Sequence, residues 1–174
     1  MAYPIARQLV FPMDPYVVTG PRFGEERSYG GVSWGVHLGE DADVPAGTPV
    51  RAAGRGRVVY SALHPGSADK GNWGNIVIIA HKHPETGKNF FSLYAHLGRR
   101  LKERGESVEL GEAVGTIGEG YTPDNGWWEA HLHFAIYTGP WKGTILPGYW
   151  KKGQGRTKKS YWRDPSAFIA TFPA

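Results

Sequence analysis

Apolar residues in this chain come in short runs separated by glycine, proline and polar turns, a pattern that predicts many short β-strands. The most apolar run, at 75–81, predicts a central strand, a hairpin turn leads from it to a strand at 90–97, and the run at 56–61 predicts another strand. Shorter strands are predicted at 16–19, at 48–53 and as a pair within 105–118. We therefore expect a mainly β, antiparallel, barrel-sandwich-like single domain with a groove bordered by loops.

The stretch 130–134 places His131 and His133 on either side of one leucine. Successive side chains of a strand point to opposite faces, so both imidazoles should leave the same face, with Leu132 and Phe134 directed toward a core. Two such imidazoles can share a metal, or one can bind it while the other transfers protons. A strand with two solvent-facing histidines would look the same, so further ligands must come from elsewhere in the chain.

Further candidate ligands occur earlier in the chain. His37 and Asp41 are four residues apart, but Gly35 and Gly39 argue against a helix, so we place the pair on a strand end that runs into a loop. His96 lies at the end of the predicted strand 90–97 and could reach the same site at the floor of the groove. A catalytic zinc takes three protein ligands and keeps a fourth position for water, which this set can supply.

A chain of 174 residues can bury a core as one domain. We divide it into an extended, proline-containing arm at 1–30, a core at 31–140, and a basic loop with a closing segment at 141–174. The closing segment should include a short helix with Asp164 as N-cap and Pro165 in the first helical position.

The net charge is +4, and much of the excess lies in 151–159. A basic surface favours polyanions, including anionic wall polymers, although a solvated surface is the usual explanation. No nucleic-acid-binding motif is recognised, so we expect no nucleic acid partner. Because the chain has no cysteine, His, Asp and Glu must hold any metal. No signal peptide is visible, and no run approaches the roughly 18 apolar residues of a membrane span.

Three motifs occur in order: His-x-Gly-x-Asp at 37–41, Tyr-Ala-His-Leu at 94–97 and His-Leu-His-Phe at 131–134. With the segments 45–59, 74–78 and 105–115, they resemble the lysostaphin-type (LytM-like) zinc metallopeptidases, which cut peptide bridges of bacterial peptidoglycan. The resemblance covers about residues 30–137. It implies an endopeptidase with one Zn²⁺ per chain that hydrolyses peptide bonds in peptidoglycan stems or cross-bridges at the bacterial cell wall.

Position by position, the resemblance makes His37, Asp41 and His133 the zinc ligands. It makes His96 and His131 the catalytic histidines that handle protons and stabilise the transition state. The chain departs from the family at 121–130, where a Gly/Ser/Thr-rich stretch is common, and at Ala135, where an acidic residue is usual. These departures leave the metal site intact but alter the wall of the groove.

Other functions are compatible with such a fold. One is a non-catalytic wall-binding module or a regulator of another hydrolase, and another is a phage lysin or an intracellular peptidase with a different peptide substrate. Degenerate relatives lose ligands, whereas all three ligands and both accessory histidines are present here. The sequence therefore favours the enzyme.

Two long loops carry aromatic residues that could wall a substrate groove. The predicted groove residues are Asn75, Trp73, Trp127 and Trp128, although the tryptophans could equally cap the edge of the core. Two further histidines are assigned no function: we expect His81 to be exposed at a hairpin and His64 to be solvated in a loop.

Overall fold

The computed structural model describes residues 2–174, in which β-strands dominate. The strands of this part of the chain are β1 (Glu26–Tyr29), β2 (Val32–His37), β3 (Glu40–Asp43), β4 (Pro49–Arg51), β5 (Gly56–His64), β6 (Gly74–Lys82), β7 (Asn89–Arg100), β8 (Ser107–Val108), β9 (Ala113–Ile117), β10 (His131–Tyr137), β11 (Tyr149–Trp150) and β12 (Trp162–Arg163). A 3₁₀ turn (Lys159–Tyr161) and a helix, α1 (Pro165–Ala170), follow β11.

The larger of two sheets has the strand order β12-β10-β7-β6-β5-β8, with β3 also beside β10 and β9 linking β7 to β4. Every strand pair is antiparallel, so the predicted mainly β, antiparallel fold is confirmed. The strand predicted at 75–81 is the central β6, which β5 and β7 flank. Six further strands (β3, β4, β8, β9, β10 and β12) complete the large sheet, and β1, β2 and β11 form the smaller sheet.

Alternation along the strands divides the apolar side chains between the two faces of the large sheet. Val77 and Ile79 of β6 belong to one apolar cluster, and Ile76 and Ile78 belong to the other. In β10, Leu132 and Phe134 are fully buried in the first cluster, as predicted. His131 and His133 therefore leave β10 on the opposite face.

The N-terminal segment packs against the large sheet. Ala6, Leu9 and Met13 are buried in the first apolar cluster, and the Ala6 amide donates to the Lys82 carbonyl. The strand predicted at 16–19 is wrong, because this stretch is irregular. Its backbone makes isolated bonds instead: the Thr19 and Gly20 amides both donate to the Asp41 carbonyl.

Helix α1 has the predicted cap. Asp164 accepts a hydrogen bond from the Ala167 amide, and Pro165 occupies the start of the helix. Glu40 of β3, which is almost fully buried, accepts hydrogen bonds from Tyr16 and from Ser166 of α1. One carboxylate thus joins the N-terminal segment, β3 and the C-terminal helix. No helix in residues 2–174 has the length and hydropathy needed to cross a membrane.

Candidate metal centre

Three strands bring His37, Asp41 and His133 together. His37 is the last residue of β2, and a two-residue connection leads to β3, where Asp41 pairs directly with His133 of β10. Asp41 therefore lies within a strand and not in the predicted loop, because β3 adds to the edge of β10. All three residues are buried.

The facing atoms of these residues form a compact triangle. His37 Nε2 lies 3.1 Å from His133 Nδ1 and 3.3 Å from Asp41 Oδ1, and the third side is 2.9 Å. Zinc bonds of about 2.0–2.1 Å place two ligand atoms of a tetrahedron about 3.3 Å apart. Two imidazoles and a carboxylate at these separations fit a zinc ion in both donor chemistry and spacing.

The ring orientation of His37 is set by the N-terminal segment. His37 Nδ1 lies 3.2 Å from the Arg22 carbonyl oxygen, which can only accept, so Nδ1 carries the proton. Nε2 then has its lone pair directed toward Asp41 and His133. A backbone partner of this kind fixes the tautomer of a metal-binding histidine.

His133 faces the triangle with Nδ1, whereas His37 does so with Nε2. Its Nδ1 faces Asp41, whereas Nε2 is buried and has no hydrogen-bond partner among residues 2–174. A Cβ at Gly39 would lie 2.7 Å from this Nε2, so the bare backbone at Gly39 makes room for the ring. A buried polar atom without a partner costs free energy, so the orientation of the His133 ring is not explained by the hydrogen bonds of Nε2.

Electrostatics favour the ionised form of Asp41. Burial alone would raise its pKa, but the contacts of the carboxylate with His133 and His37 outweigh burial and hold the pKa of Asp41 well below its usual range. Burial, in contrast, lowers the pKa of His133 and so favours its neutral form. An anionic carboxylate beside neutral imidazoles is the state in which these groups can bind a cation.

His96 and His131 lie beside this triangle, with ring centroids 4.5 Å apart. His131 Nε2 is 3.7 Å from Asp41 Oδ2. Each ring donates from Nδ1 to a backbone carbonyl: His96 to Asn125 at 2.9 Å, and His131 to Glu129 at 2.7 Å. In the neutral form of each ring, Nε2 is therefore the nitrogen that can accept a proton. Burial, more than the neighbouring imidazoles of His131 and His133, holds the pKa of His96 well below its usual value.

A β-bulge places His96 in this position. The register of β7 against β6 shifts near His96, which adopts a positive φ of 63°. Non-glycine residues in this region cost free energy and are concentrated at functional sites. The bulge directs the imidazole toward His131 and His133 instead of toward the neighbouring strand.

Asn125, a residue that the sequence did not single out, organises the loop at 119–130. It is fully buried, and its Oδ1 accepts hydrogen bonds from the Thr122, Trp127 and Trp128 amides. Its Nδ2 donates to the Trp128 carbonyl at 2.7 Å. The only sequence signal was the polar character of the loop, since these bonds depend on a closed loop conformation.

Of the four predicted groove residues, Trp73 and Trp128 lie beside the histidines of the centre, whereas the Asn75 side chain is bonded to backbone. The Trp73 ring lies 5.0 Å from His133 and 5.8 Å from His96, and Trp128 lies 6.3 Å from His96. The Asn75 side chain instead donates to the backbone carbonyls of two loop or strand-end residues, Gly98 and Asp124. Trp127 is half-buried with a positive φ of 69°.

Two aromatic residues that no sequence pattern indicated, Trp34 and Tyr149, also lie beside the centre. Tyr149 lies 5.2 Å from His37 and 5.5 Å from Trp34, between ring centroids. Tyr149 pairs with His37 in the small sheet, which its position far along the chain could not indicate.

Two assignments of histidines outside the centre are wrong. His81 is fully buried rather than exposed, because β6 extends through Lys82 and the N-terminal segment pairs with its end. Its ring bonds the Arg55 carbonyl and the Ser92 hydroxyl. His64 ends strand β5 instead of lying in a loop, and it bonds the Tyr60 hydroxyl at 2.6 Å.

Comparison with known proteins gives consistent matches. Peptidase family M23 matches residues 35–145. The chain is 35% identical over 82 residues to the peptidoglycan DD-endopeptidase ShyA of Vibrio cholerae, covering 47% of this chain and 16% of ShyA. It is 36% identical over 84 residues to the uncharacterized lipoprotein YgeR of Escherichia coli, covering 48% and 30% of the two chains.

Solved structures show the same fold. LytU superposes with a TM-score of 0.61 at 24% identity, covering 88% of this chain and 85% of LytU. The catalytic domain of the antimicrobial peptidase lysostaphin from Staphylococcus simulans gives 0.58 at 23% identity, covering 90% and 94%. This chain spans less than a third of the length of the curated relatives described above. The match over residues 35–145 confirms the family that the motifs predicted: the chain belongs to peptidase family M23.

Proposed function

We propose that this chain is a zinc-dependent endopeptidase that hydrolyses peptide bonds in peptidoglycan. The observation that carries the proposal is the buried triangle of His37, Asp41 and His133, beside two histidines that each donate from Nδ1 to a backbone carbonyl. Members of family M23 generally depend on zinc, and the related ShyA is described as a peptidoglycan DD-endopeptidase.

The three ligands would hold one Zn²⁺ per chain. When bound, zinc polarises a peptide carbonyl and lowers the pKa of a bound water toward ~7. Asp41 supplies the anionic charge of the set, and His37 is oriented by the Arg22 carbonyl. His131 Nε2 lies 3.7 Å from Asp41 Oδ2, so this imidazole would be close to a water held by the bound metal.

His96 and His131 are assigned the proton transfers. Each holds its proton on Nδ1 through a backbone carbonyl, so Nε2 can accept the proton of the attacking water. The same nitrogen, once protonated, can donate to the departing amine. A protonated imidazole can also donate to the carbonyl oxygen as negative charge develops there.

The competing functions have less support. A non-catalytic wall-binding module or a hydrolase regulator would not need two accessory histidines with fixed tautomers. A related peptidase with another peptide substrate, such as a phage lysin or an intracellular enzyme, would use the same centre. Substrate specificity thus has to be measured directly.

The location and the further partners are also proposals. We infer that the chain acts at the bacterial cell wall, outside the cytoplasm, because relatives such as ShyA act on peptidoglycan. Contact of the basic segment 151–159 with anionic wall polymers stays a prediction. Two of its lysines pack against rings, Lys159 over Trp150 and Lys158 over Tyr161, and Lys152 and Arg156 are exposed.

Digestion of purified peptidoglycan tests the proposal. Peptidoglycans of several peptide chemotypes would be incubated with the protein, with and without a chelator, and the products identified by mass spectrometry. New peptide termini that disappear with the chelator and return with zinc would support the endopeptidase and identify the bond. Intact peptidoglycan in every chemotype, with zinc bound, would contradict it.

A further inference from the structure

Four aromatic contacts form an arch over the metal centre, from one ligand to an accessory histidine. The arch runs from His37 to Tyr149 (5.2 Å between ring centroids), to Trp34 (5.5 Å), to Trp128 (5.7 Å) and to His96 (6.3 Å). The third of these contacts, between Trp34 and Trp128, joins the small sheet to the loop at 119–130. These two tryptophans therefore connect opposite walls of the groove.

A second β-bulge puts Trp34 in the arch. The register of β1 against β2 shifts so that Arg27 pairs with Gly35 and Ser28 pairs with Ser33, leaving Trp34 as the extra residue. Gly35 has a φ of +92°, and a Cβ there would lie 2.2 Å from the Trp150 carbonyl oxygen. The bulge reverses the alternation of β2, so that both Trp34 and His37 contact the Tyr149 ring.

Trp128 is held just as firmly from the other wall. Its indole Nε1 donates to the Asn72 carbonyl at 2.9 Å, and its backbone is bonded by Asn125. A Cβ at Gly71 would lie 2.1 Å from the Trp128 ring, so the indole packs directly on the Gly71 backbone. Contacts on several sides fix the indole in place.

The arch covers one approach to the centre and leaves another uncovered. Asp41 and His131 take no part in these four contacts, and each has 12% of its side chain exposed, against 1% for His37 and 4% for His133. A peptide bound at the triangle can extend past His131, but on the other side it meets the two indoles. The two directions along the groove therefore differ in the space that they offer.

We propose that the contact between Trp34 and Trp128 is a specificity barrier that limits the size of the group a substrate can carry on one side of the scissile bond. The inference rests on the proposed peptidase function and specifies its substrate class: peptides with a small group on that side. Large side chains or branches would have to displace an indole. A pocket that lacks space for added carbons discriminates against them by roughly 10–200-fold.

Hydroxamic acids of graded size test the barrier without relying on catalysis. They chelate zinc and can be enlarged from methyl to benzyl either on the carbonyl carbon or on the nitrogen. Affinities for the zinc-loaded protein would be measured by calorimetry. In the wild type we expect enlargement in one series to weaken binding about tenfold or more, while the other series is tolerated.

Substitution of Trp34 tests whether this residue causes the loss of affinity in the intolerant series. Trp34→Ala should remove most of the penalty in the intolerant series and leave the other series unchanged, and Trp34→Phe should remove part of it. Trp141→Ala is the matched control, since Trp141 is also half-buried but contacts Tyr60 and Phe91 instead of the centre. Thermal unfolding would confirm that each variant is folded, and Trp34→Phe would serve alone if Trp34→Ala were not.

The outcomes separate the barrier from the proposed function. Equal tolerance of both series by the wild type, or a penalty that persists in both Trp34 variants, would overturn the barrier while leaving the metal centre intact. Failure of every hydroxamate to bind the wild type after zinc addition would overturn the proposed function, and the barrier with it.

Discussion

His96 Nδ1 donates a 2.9 Å hydrogen bond to the backbone carbonyl of Asn125, so the loop at 119–130 determines the tautomer of a histidine on strand β7. The carbonyl can only accept, and this leaves Nε2 of His96 as the free nitrogen beside the metal centre. The same asparagine holds the loop closed through its side chain. We therefore predict that the loop conformation and the proposed proton transfer by His96 are coupled through Asn125.

Replacing Asn125 tests this coupling. Asn125→Ala removes side-chain bonds to three loop amides and one carbonyl, leaving buried polar groups unpaired at a cost of about 1–3 kcal/mol in the free energy of unfolding. We expect at least about a tenfold loss of kcat with zinc still bound, because His96 loses its fixed orientation. Activity assays with metal analysis would check this, with the exposed Asn89→Ala as control. Unchanged kcat would contradict the coupling.

Asp41 is predicted to contribute directly to metal affinity. Asp41→Ala removes the single carboxylate of the triangle, so the variant should lose most of its zinc during dialysis. Zinc per chain would be measured by elemental analysis. Asp43→Ala is a matched control, because Asp43 ends the same strand with an exposed side chain. Full zinc content in Asp41→Ala would exclude Asp41 as a ligand.

His131 should matter for catalysis without holding the metal. His131→Ala is expected to keep one zinc per chain and to lose about 10²–10⁴-fold in kcat, the usual contribution of a general acid or base. Both quantities can be measured on the same preparation. Loss of zinc in proportion to activity would show that the roles of His131 and a ligand had been exchanged.

Buried His81 should make the fold sensitive to acid. Burial lowers the pKa of His81 from 6.5 to about 4, so the unfolded chain binds a proton that the folded chain does not between these values. Stability is then fully present above pH 6.5 and falls as the pH drops toward 4. The difference of about 2.5 pH units corresponds to roughly 3 kcal/mol in the free energy of unfolding.

Urea unfolding at pH 7.5, 5.5 and 4.5 would measure this dependence in the wild type and in His81→Gln. Because glutamine does not titrate, the unfolding free energy of the variant should depend less steeply on pH across this range. The difference in slope should correspond to at most one bound proton. His83→Gln, at a partly exposed histidine two residues away, is the matched control for the replacement of a histidine by glutamine. Identical slopes in the wild type and His81→Gln would refute the assignment.

The parts of the site that the sequence predicted lie on regular strands. His131 and His133 share a face because strand alternation is a local rule, and His37 and Asp41 are joined by a connection too short to separate them. The central strand β6 was predictable because a continuous apolar run is also a local feature of the sequence. The motif spacing then supplied the family.

The parts that the sequence did not predict depend on irregular backbone or on distant segments. Trp34 reaches the arch only because a bulge reverses the alternation of β2, and Tyr149 arrives from a strand more than 100 residues along the chain. His81 was placed at the surface because its partner, the N-terminal segment, is separated from it by about 75 residues. Tertiary contacts of this kind leave no local signature in the pattern of apolar residues.

The measurement that tests the central claim most directly is a zinc titration of the metal-stripped protein acting on peptidoglycan, with new peptide termini quantified by mass spectrometry. We predict no termini without zinc, a linear rise with added zinc, and a plateau at one zinc per chain. Termini that appear at full rate in the stripped protein, or that never appear despite one bound zinc, would contradict the assignment of His37, Asp41 and His133 to a catalytic zinc centre.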